Sequence, residues 1–252
     1  MNAIFITVRT QSTRLPAKAL KPINGMPTIE YLIKRMKHSR NADAIILCTT
    51  ENESDDVLIE IAKRQNIKYF RGSEKDKLMR WNGAVQKYGI DYFVTADGDD
   101  VLCDPKLVDM ALEQMKNTEV DFIQATDIIC GAFTYCIRGT ALQKVCEIKD
   151  SDDTEMMWVY FTETGLFRIA ELQNVPNEYY RDDIRMTLDY PEDFQFFRTI
   201  IEHYSNRELI SLSDVVRLVD KRPEIKNINY FRQEQFLNNQ ANKTSLKLKV
   251  AE

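Results

Sequence analysis

Residues 3–18, AIFITVRTQSTRLPAK, give the clearest indication of the fold. Residues 3–8 form a short apolar run rich in β-formers, which predicts a buried strand. The loop that follows carries cations and hydroxyl groups close together, at Arg9, Ser12, Thr13, Arg14 and Lys18. Arginine grips phosphate oxygens in pairs, lysine adds a point charge and hydroxyls donate further bonds, so this loop suits a triphosphate. Composition alone favours a solvated basic loop, whereas the position directly after a first strand favours a phosphate site.

Outward from this stretch, the first 125 residues alternate between apolar runs and amphipathic segments. We predict strands at 3–8, 43–49, 67–70, 91–96 and 120–124. We predict helices at 27–39, 54–65, 74–88 and 105–116. Apolar strands that alternate with helices imply a parallel sheet covered on both faces. The sequence therefore predicts an α/β protein with a Rossmann-like, three-layer α/β/α fold and a mostly parallel central sheet. Ligands of such sheets bind beyond the carboxyl ends of the strands.

Beyond residue 120 the pattern is less regular. It predicts strands at 134–138 and 166–169, an acidic loop at 150–153, and helices at 191–204 and 212–220. We interpret residues 1–238 as a single domain with three parts. These are a half with the phosphate loop at about 1–120, a second part at about 121–190, and C-terminal helices at 191–238. Residues 239–252 are polar, and we expect this tail to fray.

Composition and charge exclude several classes of protein. The chain has 252 residues, 44% of them hydrophobic, which is enough for the core of one large domain. Its net charge of −5 does not suit a protein that coats nucleic acid, so any basic ligand site must be local. Five cysteines without a C-x-x-C pair indicate free thiols in a reducing compartment, and we expect a cytoplasmic protein. No apolar run approaches the roughly 18 residues of a membrane span.

Acidic residues follow the strand predicted at 91–96. The sequence T-A-D-G-D-D at 95–100 places Asp97 and Asp99 at the carboxyl end of this strand. Carboxylates there can hold Mg²⁺, which prefers hard oxygen ligands. The pattern is weak by itself, because aspartate often only stabilises a turn.

A second acidic stretch, R-M-T-L-D-Y-P-E-D, occupies residues 185–193. Pro191 suits the first turn of a helix, and Glu192 and Asp193 suit its positive end, so a structural interpretation is strong. Asp189, however, directly precedes this helix start. It is a candidate for a second metal ligand.

Four motifs in this order resemble the CMP-sugar cytidylyltransferases. This family contains acylneuraminate and 3-deoxy-manno-octulosonate cytidylyltransferases, and the chain is most similar to the branch of spore-coat polysaccharide biosynthesis protein F. Its opening A-R-x-x-S-T-R-L-P-G-K matches residues 8–18 without a gap, and R-G-S-E-x-D-x-L-x-R matches 71–80. G-D-x-P-L-I-D-P resembles G-D-D-V-L-C-D-P at 98–105, and V-D-T-P-E-D-L resembles L-D-Y-P-E-D-F at 188–194. Departures include Gln11, Ala17 and Tyr190, none of which removes a charged residue.

The resemblance implies a nucleotidyltransferase fold and a Mg²⁺-dependent cytidylyltransferase, with Mn²⁺ as an alternative ion. Such an enzyme joins CMP from CTP to a sugar acid or related acceptor and releases pyrophosphate, in polysaccharide or glycoconjugate biosynthesis. The resemblance assigns the CTP phosphates to Arg9, Ser12, Thr13, Arg14 and Lys18, and the base and ribose to Arg71, Gly72 and Ser73. It makes Arg14, Lys18 and Asp99 catalytic and places the metal on Asp99 and Asp189. Asp97 is a nucleotide contact and the alternative metal ligand. The family also implies a homodimer.

The acceptor is harder to assign from sequence. We expect residues 124–185 to line its pocket, with Gln124, Tyr135, Arg168 and Arg185 as candidates and Arg181 as a further one. Residues of these types more often lie on the surface or in the core. Two other functions fit parts of the pattern. One is a metal-dependent glycosyltransferase, because D-x-D at 97–99 can hold a nucleotide-sugar diphosphate, and the other is a non-catalytic nucleotide-binding protein. The basic loop argues against the first, and the presence of this loop with both Asp99 and Asp189 argues against the second.

Overall fold

The structure, a computed structural model, describes residues 1–249. Its strands are β1 (Asn2–Thr7), β2 (Pro22–Ile23), β3 (Met26–Pro27), β4 (Ile45–Thr50), β5 (Lys68–Gly72), β6 (Tyr92–Asp97), β7 (Phe122–Gln124), β8 (Tyr135–Arg138) and β9 (Ile169–Glu171). Its helices are α1 (Thr28–Met36), α2 (Asp56–Arg64), α3 (Lys77–Tyr88), α4 (Pro105–Asn117), α5 (Gly139–Ile148), α6 (Val159–Thr162), α7 (Pro191–His203), α8 (Leu212–Lys221) and α9 (Gln233–Lys243).

A seven-stranded sheet in the order β5-β4-β1-β6-β8-β7-β9 forms the centre of the molecule. Strands β5, β4, β1 and β6 are parallel neighbours, and β7 pairs in parallel with β9. Only β8 runs the other way, antiparallel to both β6 and β7. All strands except β8 therefore present their carboxyl ends at one edge of the sheet.

Helices cover both faces of this sheet. Buried side chains of α1, α2, α4, α7 and α8 pack with one set of strand residues in the larger core cluster. Helices α3, α5 and α6 pack against the opposite face, where Phe5 stacks on Phe93 and Trp81 meets Phe93 edge to face. Alternate strand residues point to opposite faces, so uninterrupted apolar strands such as β1 contribute side chains to the cores on both faces of the sheet.

The predicted α/β/α fold with a mostly parallel sheet is confirmed, and the boundaries of its elements shift by a few residues. The helix predicted from 74 begins at Lys77, because the Asp76 side chain accepts the Met79 amide and caps it. The strand predicted at 166–169 is displaced to Ile169–Glu171. Among residues 1–249, no helix has the length and apolar character that crossing a bilayer requires.

Three helices, α5, the four-residue α6 and α9, are absent from the sequence-based prediction. Helix α5 begins with Gly and Thr and has no side-chain N-cap, so its sequence carries no start signal. Helix α9 runs through residues 239–243, where we expect a frayed tail, and this part of the expectation is wrong. It is held by contacts with the rest of the chain rather than by a buried apolar face. Residues 250–252 of the predicted tail lie outside the described residues.

Candidate active site

The carboxyl ends of β1 and β6 meet where the phosphate loop, residues 9–18, begins. The Gly98 amide donates to the carbonyl of Thr7 at 2.8 Å. A Cβ on Gly98 would lie 2.7 Å from Cβ of Val8, closer than real contacts allow. Only glycine lets the two chain segments approach this closely. The acidic residues 97–100 therefore lie beside the phosphate loop.

Lys18 joins two aspartates that are distant in sequence. Its Nζ lies 2.8 Å from Oδ2 of Asp99 and 2.9 Å from Oδ1 of Asp189. Arg14 reaches the same Asp189 oxygen, with Nη2 at 2.6 Å. The Thr28 hydroxyl donates to the Lys18 carbonyl at 2.8 Å and fixes the end of the loop. The two carboxylates thus face one cleft, and cations of the phosphate loop lie against them.

The charges in this cleft stabilise one another. Burial by itself lowers the pKa of Lys18, but Asp99 and Asp189 outweigh burial, so this pKa lies above its ordinary value. Burial by itself raises the pKa of Asp189, but Lys18 and then Arg14 outweigh it, so this pKa lies below its ordinary value. Lys18 and Asp189 are therefore both charged at neutral pH. The cleft therefore pairs anionic oxygens with cations that can move to another anion.

Asp189 rests on a buried ion pair. Arg185 lies with Nε 3.0 Å from Oδ1 of Asp193 and Nη2 3.4 Å from Oδ2 of Asp189. Oδ2 of Asp193 accepts the backbone amides of Asp189 and Tyr190, at 2.8 and 2.9 Å. Asn229 donates to Asp193 at 2.9 Å. This network fixes the backbone of Asp189 at a place where no regular strand runs.

Helix α9 covers this network from outside. The side-chain oxygen of Gln233 accepts from Arg185 at 3.1 Å. The Arg185 guanidinium lies 4.3 Å from the centre of the Phe236 ring. Asn239 donates to the Tyr190 hydroxyl at 3.0 Å. The segment that carries Asp189 therefore depends on residues far along the chain.

Asp97 has a lysine of its own. Nζ of Lys77 lies 2.9 Å from Oδ1 and 3.0 Å from Oδ2 of Asp97. Lys77 is the first residue of α3, and its Nζ also lies 4.9 Å from the ring centre of Trp81. Trp81 donates to the hydroxyl of Thr7 at 2.8 Å, which ties α3 to β1. Asp97 and Asp99 thus share one loop but have different partners.

The donor set at the end of β6 fits a divalent cation. Asp97, Asp99 and Asp100 each offer a carboxylate oxygen, and these oxygens lie within 4.8 Å of one another. Hard oxygen donors of this kind suit Mg²⁺ and Mn²⁺. Burial, followed by the charges of Asp99 and Asp97, raises the pKa of Asp100 well above its ordinary value. Asp99 and Asp189 both contact Lys18, so these two carboxylates form the donor pair that faces the cleft.

The other sequence-predicted residues of the phosphate loop lie toward its rim. Arg9 lies 3.8 Å from both Glu74 and Glu155. Ser12 accepts a backbone amide of the loop at 3.4 Å, and Thr13 is exposed. At these distances the acidic partners hold Arg9 only weakly, and it remains open to a ligand.

Residues 71–73 lead from β5 toward α3. Arg71 donates to the carbonyl of Thr50, the last residue of β4, at 2.9 Å and to that of Asn52 in the following loop at 2.8 Å, and so holds that loop in place. The Ser73 hydroxyl accepts the Asp76 amide at 3.1 Å, and Arg80 donates to the Ser73 carbonyl at 2.5 Å. A Cβ on Gly72 would lie 3.2 Å from Cγ of Arg80. The segment is therefore tightly packed, and Arg71 is engaged by the protein itself.

The acceptor candidates separate into two groups. Gln124 ends β7 and Tyr135 begins the antiparallel β8, so both lie at the sheet edge that carries Asp97. Arg168 directly precedes β9, which runs parallel to β7, so it lies at the opposite edge. There its Nε lies 3.5 Å from Asp121. Arg168 is therefore not brought to the cleft.

Two other arginines are also committed elsewhere. The side chain of Arg185 is 0% exposed and is used by Asp189 and Asp193. Arg181 pairs with Asp183 at 2.7 Å and with Asp220 at 3.0 Å. Each of Arg168, Arg181 and Arg185 already pairs with a carboxylate of the protein, and their expected contact with an acceptor stays a prediction.

Sequence reasoning missed three residues that shape the site. Lys77 lies within the motif at 71–80, but no spacing rule separates it from a surface lysine. Asp55 accepts the Thr10 amide at 2.8 Å and the Thr49 hydroxyl at 3.0 Å, and so ties the phosphate loop to β4. Its place just beyond a strand end is a signal that could have identified it. Asn229 lies in a stretch without regular pattern.

The comparisons with known proteins agree with this fold. A solved cytidylyltransferase from Leptospira borgpetersenii superposes with a TM-score of 0.81 at 27% identity, over 89% of this chain and 95% of that one. The fold and its strand-end site thus define an α/β nucleotidyltransferase. The chain belongs to the cytidylyltransferase family, whose model matches residues 3–242.

Two relatives cover most of the chain. An uncharacterized protein of Methanocaldococcus jannaschii is 32% identical over 228 residues, which is 89% of this chain and 93% of that protein. The spore coat polysaccharide biosynthesis protein of Bacillus subtilis is 24% identical over 233 residues, 89% of this chain and 97% of that protein. The resemblance seen in the four sequence motifs is thereby confirmed.

Proposed function

We propose that this chain transfers CMP from CTP to a sugar acid or a related small acceptor, with Mg²⁺ as the accompanying ion and Mn²⁺ as an alternative. The observation that carries this proposal is Lys18, held between Asp99 and Asp189 with Arg14 beside it. In the free protein these cations and carboxylates neutralise each other. When a triphosphate and its metal ion bind, the cations can pair with the triphosphate and the carboxylates can bind the ion.

The reaction is an attack of an acceptor hydroxyl on the α-phosphorus of CTP. The new P–O bond forms as the bond to the β-phosphate breaks, pyrophosphate leaves and the hydroxyl proton is released. Asp99 and Asp189 would hold the ion, which neutralises charge on the phosphates. Arg14 and Lys18 bind the departing pyrophosphate, where negative charge grows during the reaction. Arg9, Ser12 and Thr13 orient the phosphates at the rim of the loop.

For the nucleoside, we propose the segment around Gly72 and Ser73. It follows β5 at the same sheet edge as the phosphate loop. Arg71 acts indirectly, because it holds the neighbouring loop. The contribution of Asp97 depends on Lys77, which occupies both of its oxygens.

For the acceptor, we retain Tyr135, which begins β8 beside the acidic loop, and Gln124, which ends β7 there and whose amide nitrogen donates to Glu171 at 2.8 Å. An amide and a phenol can both bond to sugar hydroxyls. Burial, followed by the charges of Asp97 and Asp100, raises the pKa of Tyr135 above its ordinary value, so it stays protonated and can donate. Because a relative serves spore coat polysaccharide biosynthesis, we place the activated product in polysaccharide or glycoconjugate biosynthesis.

Three broader expectations belong to the same proposal. Residues 1–120 bind CTP and 121–190 the acceptor, within a single domain that extends to 238. The protein acts as a homodimer. It acts in the cytoplasm, an expectation supported by its five unpaired cysteines.

The competing glycosyltransferase would use Asp97 and Asp99 together on one metal ion. The phosphate loop makes this less favourable, because the cations Arg14 and Lys18 suit a triphosphate. The two reactions also differ in their products, since only a cytidylyltransferase releases pyrophosphate from CTP.

Calorimetric titration with CTP, ATP and GTP in the presence of Mg²⁺ tests the nucleotide. We expect CTP to bind well ahead of both purine nucleotides; equal or tighter purine binding would contradict the proposal. Pyrophosphate release from CTP is then screened against 2-keto-3-deoxy sugar acids, sugar phosphates and phosphonates. Turnover with a sugar nucleotide, and none with CTP, would favour the glycosyltransferase.

A further inference from the structure

Lys77 occupies an electrostatically costly place. As the first residue of α3 it lies at the positive end of the helix dipole, where a cation is disfavoured. Its side chain is only 14% exposed, so water compensates little of this cost. A surface lysine two residues earlier, Lys75, is exposed and has no such constraint. The partner that offsets the cost is Asp97.

The contact between Lys77 and Asp97 uses the whole carboxylate. One ammonium group lies 2.9 and 3.0 Å from the two oxygens, so both are engaged at once. Lys18, by contrast, contacts a single oxygen of Asp99 at 2.8 Å. Asp97 is thus neutralised more completely than Asp99, although both lie on the same short loop.

This difference matters because the loop alone would make a different metal site. Oxygens of Asp97, Asp99 and Asp100 lie within 4.8 Å of one another, close enough for one ion to bridge neighbours. Without Lys77, a divalent ion would gain most by binding Asp97 and Asp99 together. Such an ion would be held by the end of β6 without a contribution from Asp189.

We propose that Lys77 is a positioning residue that excludes Asp97 from the metal site and so confines the ion to the Asp99–Asp189 side of the cleft. The inference rests on the proposed function in taking a divalent ion as the partner of this loop. It adds a residue whose role is to decide between two adjacent aspartates. Trp81 keeps the ammonium in place from the other side.

Binding of Mn²⁺ in the absence of nucleotide tests this role, with free Mn²⁺ measured by electron paramagnetic resonance. Lys77→Met should bind Mn²⁺ about tenfold more tightly than the unchanged protein, because a unit charge a few ångströms from a divalent ion is removed and Asp97 becomes free. Lys75→Met removes the same charge from an exposed position and should leave the affinity within about twofold, since exposed charges are screened. Lys77→Gln serves if the Met variant folds poorly.

The double variant Lys77→Met/Asp97→Asn is decisive. If Asp97 is excluded from the site, removing the pair together restores the affinity of the unchanged protein. A double variant that binds Mn²⁺ at least about tenfold more weakly would show Asp97 to be a ligand and overturn the proposal, as would a Lys77→Met variant that behaves like Lys75→Met. Because CTP is absent, failure here is separate from failure of the cytidylyl assignment, which the nucleotide titrations decide.

Discussion

Asp99 and Asp189, which contact Lys18 from the two sides of the cleft, are held in position by different kinds of interaction. At the end of β6, strand pairing and Gly98 place Asp99, and its side chain is 27% exposed. On the other side, Asp189 lies in no strand, and its side chain is 1% exposed. Backbone geometry positions the first carboxylate, whereas side chains from several segments position the second. A single ligand pair can thus combine a locally built half with one that depends on distant residues.

The two sides are joined by backbone contacts. The Leu188 amide donates to the Asp99 carbonyl at 2.8 Å. Gly131 packs against both sides, since a Cβ there would lie 2.1 Å from the Met186 carbonyl oxygen and 3.0 Å from Oδ1 of Asp100. The separation between the two carboxylates is therefore set by main-chain packing, and each side can be disturbed on its own.

Breaking the side-chain network should have the largest effect. Arg185→Met leaves Asp193 buried without its charged partner, and we expect a loss of about 3–5 kcal/mol in the free energy of unfolding. Urea denaturation measures this loss. Arg168→Met is the matched control, because its ion pair is 60% exposed on the arginine side and should contribute at most about 1 kcal/mol. Equal losses in the two variants would contradict the difference drawn between the two sides.

Removing either carboxylate should affect turnover more than folding. We expect Asp99→Asn and Asp189→Asn each to slow pyrophosphate release by about 10²–10³-fold, the usual loss when one charge-stabilising group is removed. Excess Mg²⁺ or Mn²⁺ should rescue them only in part. Asp91→Asn, at the amino end of β6, is the control and should be unaffected.

Unfolding measurements on the same two variants distinguish the two carboxylates further. Asp99→Asn should unfold like the unchanged protein, whereas Asp189→Asn should be measurably weaker, because only Asp189 is buried among Arg14, Lys18 and Arg185. Wild-type turnover in either variant would remove that residue from the proposed metal pair.

A smaller effect is expected from Arg14, the second phosphate-loop cation that contacts Asp189. Arg14→Ala should weaken CTP binding or transition-state stabilisation by about 1.5–3 kcal/mol, the range for a charged hydrogen bond. Calorimetry and steady-state kinetics measure the two quantities. Arg64→Ala, an exposed arginine paired with Glu30, should change neither. Unchanged affinity and turnover in a folded Arg14→Ala variant would leave residues 9–18 as a solvated basic turn.

The sequence predicts the Asp99 side of the cleft, which strand pairing builds, better than the Asp189 side, which residues distant in sequence hold in place. Apolar runs such as 3–8 and 91–96 determine strand positions, and strand ends then indicate where Asp97 and Asp99 lie. The motif at 188–194 identifies Asp189 as a candidate, but not what holds it. The burial of Arg185 depends on Asn229 and Gln233, and no local pattern relates residues that distant.

Helix α9 shows the same limit. None of its residues is fully buried, so its sequence lacks the apolar stripe that predicts a docked helix. Its contacts are amide and cation–π interactions, which leave no periodic signal. The role of Lys77 also leaves no pattern in the sequence, because it depends on the contact between Lys77 in α3 and Asp97 in β6.

Because Asp189 depends on residues that are synthesised after it, the active site is completed in a fixed order during translation. Asn229 follows Arg185 by 44 positions and Gln233 follows it by 48. Because a domain generally folds as a unit, the contacts that hold Asp189 can form only after Asn229 and Gln233 have left the ribosome. A half-made chain that already attracts nucleotide would have no means to use it until α9 arrives.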